Sequence, residues 1–264
     1  MPWISFSSYI WEFVIFGIKE ARACIFAGSF FVLLFLSHKI PLFGLPRYDF
    51  IFLAALALQI ILFVTKIETW DEVKTIFLFH ALGTVLELFK TYPTVGSWSY
   101  PEEAFFKIAT VPLFAGFMYA AVGSYIAQAW RILKIELEEV PNYAAVLALG
   151  VLIYLNFFTN FFIPDLRLIL IPAVFLLFAR TSITFVVTNE RRSMPLALGL
   201  CLVAFFIWIA ENISTFYGAW QYPDQIHVWT VVSTNKITSW FLLVIISFIL
   251  VAYLKHYKKD ILNQ

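Results

Sequence analysis

Eight long apolar stretches constrain this chain more than anything else in it. They cover residues 21–37, 50–65, 73–89, 105–130, 144–162, 166–187, 195–213 and 237–254. A helix needs roughly 20 mostly apolar residues to cross a bilayer core, and in lipid only helices or closed barrels satisfy every backbone N–H and C=O. Hydrophobic residues fill 62% of 264 positions and charged residues 13%, more apolar surface than a soluble core of this size absorbs. The expectation is an all-α polytopic membrane protein with about eight transmembrane helices, forming a single integral membrane domain over residues 1–264. The opening segment 3–18 is interrupted by Glu12 and reads as an interfacial helix or an extension of the first span, which leaves a ninth span open.

Charge sets orientation and excludes classes of partner. A net charge of +1 provides no basic field for nucleic acid. With eight spans, both termini share a side, and that side collects Lys19, Arg22, Lys66, Lys74, Arg131, Lys134, Arg180, Arg191, Arg192, Lys255, Lys258 and Lys259. The opposite side holds Lys39, Arg47, Lys90, Lys107, Arg167 and Lys236. Twelve cations against six predict cytoplasmic termini by the positive-inside rule. The run 134–140 then reads as a solvated cytoplasmic turn. Cys24 and Cys201 lie in apolar runs without disulfide or metal spacing, so no metal or other cofactor is expected.

A polar, aromatic stretch breaks the pattern. GSWSYPE, Gly96–Glu102, recurs as GAWQYPD, Gly218–Asp224, 122 positions later. Each copy follows an apolar segment ending near a carboxylate, Glu87 in one case and Glu211 in the other. The recurrence predicts two parallel four-helix repeats, 21–140 and 141–264, whose aromatic turns and acids approach each other across an axis along the membrane normal. A buried acid in an aromatic lining is suited to proton transfer. The expected acid–base pair is Glu87 and Glu211, with Trp98, Tyr100, Trp220 and Tyr222 as ligand-binding residues. Interfacial anchoring gives the same aromatic residues a purely structural reason to be there. His80 lies two helical turns before Glu87 and joins the ligand-binding expectation, against the alternative of a histidine satisfied by a neighbouring carbonyl. Asn156 and Asn160 form a second polar pair, which fits helix association or a polar path.

At the level of the whole chain, the sequence resembles an uncharacterised bacterial membrane family typified by YoaT, through its length, its even spacing of spans and the stretch from Glu87 to Glu103. That resemblance implies a multi-pass protein of the bacterial cell membrane. A local similarity is to carotenoid hydratases and membrane-embedded lycopene cyclases, carried by Glu87, Gly96, Trp98, Tyr100, Val111, Pro112 and Leu113. Pro101, Glu102, Glu103, Phe105 and Phe106 are similar to the cyclases' P-x-E-E-x-x-F-F motif with two residues fewer. The similarity implies acid–base chemistry on a hydrophobic, isoprenoid-like molecule at an outer-leaflet cavity, with membrane lipid as surroundings and no cofactor. Two other readings stay open here. One is a small-molecule transporter using His80, Asn156 and Asn160; the other is a non-catalytic membrane-organising protein with a solid interface between its halves.

Overall fold

The computed structural model describes residues 6–262, and nine helices lie among them. The helices are α1 (Phe6–Ala23), α2 (Ile25–Leu36), α3 (Arg47–Val64), α4 (Trp70–Lys90), α5 (Phe114–Ile132), α6 (Tyr143–Thr159), α7 (Arg167–Leu177), α8 (Leu196–Phe216) and α9 (Lys236–Leu262). Five short strands accompany them. A hairpin pairs β1 (Lys107–Ile108) with β2 (Val111–Pro112), and a three-stranded antiparallel sheet joins β3 (Glu136–Glu138), β4 (Ser182–Val186) and β5 (Arg191–Pro195). Residues 3–5 of the expected interfacial segment lie outside the described residues.

Each of the eight apolar stretches contains a helix, α2 to α9 in turn. Three of these helices are long and apolar enough to cross a membrane: Arg47–Val64, Leu196–Phe216 and, within α9, Lys236–Lys255. Several boundaries differ from expectation. The stretch 105–130 begins as the β1–β2 hairpin, so its helix starts only at Phe114. The stretch 166–187 ends its helix at Leu177 and continues as β4. At 11 residues, α7 spans only about 16 Å, about half of a hydrocarbon core. The run 134–140, expected as a solvated turn, supplies β3. Residues 21–23 belong to α1, which a turn at Cys24 separates from α2.

The connections gather at two ends. At one end β3, from the α5–α6 connection, pairs with β4, from the α7–α8 connection. Helix α1 leans on this sheet: Arg192 pairs with Glu12, Lys19 Nζ donates to Val186 O at 3.1 Å, and the Phe16 and Phe185 rings meet. Also at this end, Thr69 and Glu72 form a reciprocal capping box that starts α4. Arg131 holds Glu72 from the end of α5 at 3.0 Å. At the opposite end, Arg47 at the start of α3 pairs with Glu102 and donates to Tyr217 O at 3.0 Å and Gly218 O at 2.5 Å. Asp49 accepts from the Phe105 and Phe106 backbone N–H groups, both at 2.8 Å. These ties bind the connections after α4 and α8 to the beginning of α3.

Helices α4 and α5 are packed closely because glycines remove the intervening side chains. A methyl group on Gly83 would lie 2.5 Å from the Tyr119 ring, and one on Gly116 would lie 2.5 Å from the His80 ring. Phe79 covers Gly123 in the same manner. Close approach of this kind trades side-chain volume for direct ring-on-backbone contact. A continuous apolar core runs from α2 and α3 through α5 to α9, with Tyr48, Phe26, Phe114 and Ile245 fully enclosed.

Candidate functional site

The two aromatic turns meet. Ser99 and Gln221 form an antiparallel bridge, each donating its N–H to the other's carbonyl at 2.9 Å. They occupy the same place in the two copies, between Trp98 and Tyr100 and between Trp220 and Tyr222. Gly96 and Gly218 also match, with φ of +51° and +63°, values at which glycine avoids the steric cost borne by other residues. Trp98 of the first turn packs edge-on against Tyr222 of the second, their ring centroids 6.2 Å apart.

Each turn serves the acid that precedes it. Glu87, 2% exposed, accepts from Trp98 Nε1 at 2.8 Å and Tyr100 Oη at 2.7 Å on one oxygen, and from Tyr119 Oη at 2.7 Å on the other. Glu211, also 2% exposed, accepts from Tyr222 Oη at 2.5 Å and from Trp240 Nε1 at 2.8 Å. The plan is shared: an acid near the end of a helix, a tyrosine from the following turn, and an aromatic donor from the next helix. The tryptophans differ, since Trp98 donates to Glu87 whereas Trp240 takes that part for Glu211. Among the described residues neither carboxylate is paired with a cation within 4.0 Å, so neutral donors offset much of the cost of its burial. Burial, reinforced by the charge of the neighbouring acid, drives the phenols of Tyr100 and Tyr222 well above the ordinary tyrosine range, which keeps both as hydrogen-bond donors.

Both acids line one cavity of about 430 Å³, within the range of small-molecule sites. Trp98, Trp220, Tyr222, Tyr119 and Trp240 supply aromatic faces, and Leu86, Met118, Phe157, Phe161 and Leu243 the apolar ones. Polar groups from three connections also border it: Lys90, Asn160, Asp165, Arg167, Asn235 and Lys236. Lys90 Nζ donates to Asn160 Oδ1 at 2.9 Å, Arg167 Nε to Asp165 Oδ2 at 2.5 Å, and Lys236 Nζ sits 4.3 Å from the centre of the Tyr222 ring. Burial raises the Asp165 carboxyl, but the Arg167 backbone N–H, the Asn156 amide and the Arg167 guanidinium outweigh it and hold the group below its ordinary value.

The residues expected from sequence are distributed as follows. Glu87, Trp98, Glu211, Trp220 and Tyr222 face the cavity. Tyr100 supports Glu87 by its hydroxyl and borders a separate space of about 250 Å³. His80 packs against Gly116 and the Phe117 ring with its Nδ1 unpartnered, and it is not among the residues lining the larger cavity. Asn156 is bound to Asp165 and the Leu166 N–H, while Asn160 reaches the cavity. Glu102, conspicuous in sequence, is taken up by Arg47. Tyr119, Trp240, Arg167 and Lys236 escape a motif reading. Lys236 and Arg167 register there only as outer-face charges, and the two aromatics sit in helices already crowded with rings. No cluster of three or more His, Cys, Asp or Glu suited to a metal lies among the described residues.

The arrangement can hold a partly hydrophobic molecule of modest size and exchange protons with it through either acid. A family described as "Protein of unknown function (DUF817)" matches residues 12–248. The chain is 49% identical over 249 residues to "Uncharacterized protein YoaT" of Bacillus subtilis (strain 168), covering 94% of each. No solved structure matches. The local similarity to carotenoid hydratases and lycopene cyclases gains no support from these matches.

Proposed function

The chain belongs to the DUF817 family, and from that premise we propose a multi-pass protein of the bacterial cell membrane that binds an isoprenoid-like molecule in the cavity between its halves and performs acid–base chemistry on it. In this reading α2 to α9 cross or enter the bilayer, both termini are cytoplasmic, and 21–140 and 141–264 are parallel repeats. The three crossing-length helices and the alternation of connections between two ends support it. The observation that carries the functional part is the convergence of Glu87 and Glu211 on one cavity beneath the Ser99–Gln221 bridge. A merely organising protein calls for a packed interface at this place, and a cavity is found.

The chemistry that suits the site is movement of a double bond. One acid, in its protonated form, delivers its proton to an alkene carbon; the resulting carbocation lies against the faces of Trp98, Trp220 and Tyr222. The other carboxylate removes a proton from a neighbouring carbon, so atoms and charge balance without a co-reactant. Glu87 and Glu211 are interchangeable in these roles.

Mass spectrometry of hydrophobic molecules co-purified with the full chain tests the reading. Wild-type protein is expected to carry a compound that is lost on Met118→Trp, which pushes a larger ring into the cavity. Glu87→Gln and Glu211→Gln should retain a compound but shift the balance between two isomers. A wild-type preparation with no such compound, together with unchanged lipid profiles on gene deletion, overturns the proposal.

A further inference from the structure

The cavity has a chemically distinct mouth that the acid–base reading leaves unused. Lys90 ends α4, Arg167 begins α7 and Lys236 begins α9, so three separate elements deliver cations to one rim. Asp165 is the carboxylate among these rim groups and it is engaged by Arg167, leaving a surplus of two positive charges. Lys90 is 8% exposed, and neither Lys90 nor Lys236 has a carboxylate within 4.0 Å among the described residues. Holding two ammonium groups near one another, largely out of water and with no carboxylate in ion-pair contact, is costly, although the more distant charges of Glu211 and Asp224 offset part of it for Lys236 and that of Asp165 part of it for Lys90. Lys236 is compensated in part by the rings of Tyr222 at 4.3 Å and Trp98 at 5.6 Å, and Lys90 by the Asn160 carbonyl. Arg167 spends donors on Ser239 at 2.8 Å and Thr238 at 3.2 Å as well as on Asp165. The amino ends of α7 and α9 add positive potential at the same mouth. Ser233, Ser239 and Asn235 border the cavity there too, offering neutral hydrogen-bonding groups.

We propose that this rim binds a phosphate group, and that the cavity's ligand is a phosphate ester whose hydrocarbon part extends along Trp98, Trp220 and Trp240 toward Glu87 and Glu211. The proposal rests on the hydrophobic-ligand reading above and specifies its polar end. Phosphate suits the rim better than a carboxylate because it has three unesterified oxygens for three cations from separate elements, and it tolerates point-charge contacts from lysine as well as the planar fork of arginine.

Titration of full-length protein in nanodiscs, followed by the fluorescence of its cavity tryptophans, tests this with three probes: geranylgeranyl monophosphate, geranylgeraniol and inorganic phosphate. The ester is expected to bind at least about tenfold more tightly than the alcohol. Lys90→Gln and Lys236→Gln should each weaken the ester more than the alcohol, so that the ester's preference over the alcohol falls toward one while the alcohol still binds; Lys236→Arg should restore the preference, and a preference unaltered by both Gln variants overturns the phosphate proposal. Equal binding of ester and alcohol overturns the phosphate proposal and leaves the hydrophobic reading standing. Lysine-dependent binding of inorganic phosphate with no binding of the alcohol retains the anion site, assigns it to free phosphate and overturns the hydrophobic reading. Binding of none of the three overturns both.

Discussion

Replacement of Gly83 by alanine perturbs the support of Glu87 from behind. The new methyl group would lie 2.5 Å from Cγ and Cδ2 of Tyr119, whereas carbon atoms rest at about 3.5 Å or more. The ring must therefore retreat by about 1 Å. Its hydroxyl now lies 2.7 Å from Glu87 Oε1, and a retreat of that size stretches the bond to roughly 3.7 Å, beyond hydrogen-bonding distance. Overpacking costs about 1–3 kcal/mol and loss of a hydrogen bond to a buried charged acceptor about 1.5–3 kcal/mol. Against this, alanine favours the helix by about 1 kcal/mol. The expected net loss is about 1.5–5 kcal/mol, measured by reversible unfolding of detergent-purified protein in a sodium dodecyl sulfate titration. Gly28→Ala is the control, since nothing lies within 4 Å of its added methyl; it should be neutral or slightly stabilising. In a Tyr119→Phe background Gly83→Ala should cost less, because the phenol's bond can be lost only once. Full stability of Gly83→Ala, or strict additivity with Tyr119→Phe, refutes the reasoning.

Three further outcomes are expected. Glu87→Leu strands Trp98 Nε1, the Tyr100 hydroxyl and the Tyr119 hydroxyl, and should lose about 3 kcal/mol or more in the same titration; Glu87→Gln, which keeps one acceptor for Trp98 and lets a tyrosine turn its hydroxyl to accept, should lose about 1–2 kcal/mol. Arg47→Met breaks the Glu102 pair and the contacts to Tyr217 O and Gly218 O and should cost about 3–5 kcal/mol, whereas Arg191→Ala, which breaks an exposed pair with Glu136, should leave the midpoint unchanged. Asp165 has a depressed folded-state pKa, so its contribution is present above its unfolded value of about 3.9 and disappears as pH falls through the folded value. The thermal-stability gap between wild type and Asp165→Asn should therefore hold from neutral pH down to about 4 and close below it; a gap that persists at low pH contradicts the assignment.

The helices were legible as apolar runs because a run of that length has to bury or meet lipid whatever its neighbours do. The same rule misled where apolar residues continue beyond a helix. Ile183, Thr184, Phe185 and Val186 read as the end of a span, yet they are β-branched or aromatic residues that suit a strand, and β3 supplies the partner that a local pattern cannot reveal. The turn motifs were legible because Gly, Trp, Tyr and Pro recur together at the same spacing. Their partners were not. Tyr119 and Trp240 are chosen from 12 tyrosines and 9 tryptophans by helix packing alone. Lys90, Arg167 and Lys236 look in sequence like ordinary charges at helix ends, and only the folding of three connections toward one mouth makes them neighbours.

The Ser99–Gln221 bridge is held by main-chain atoms only. Its geometry is therefore indifferent to what either side chain becomes, provided the backbone can stay extended. Two segments fastened in this way can carry different side chains while keeping their alignment, as serine facing glutamine illustrates. Around this fixed point Trp98 donates to Glu87 while Trp240 donates to Glu211, so a substitution at either tryptophan alters the bonding of one acid and leaves the other's in place. A single backbone rung thus fixes two turns relative to each other while leaving the side chains around it free to differ.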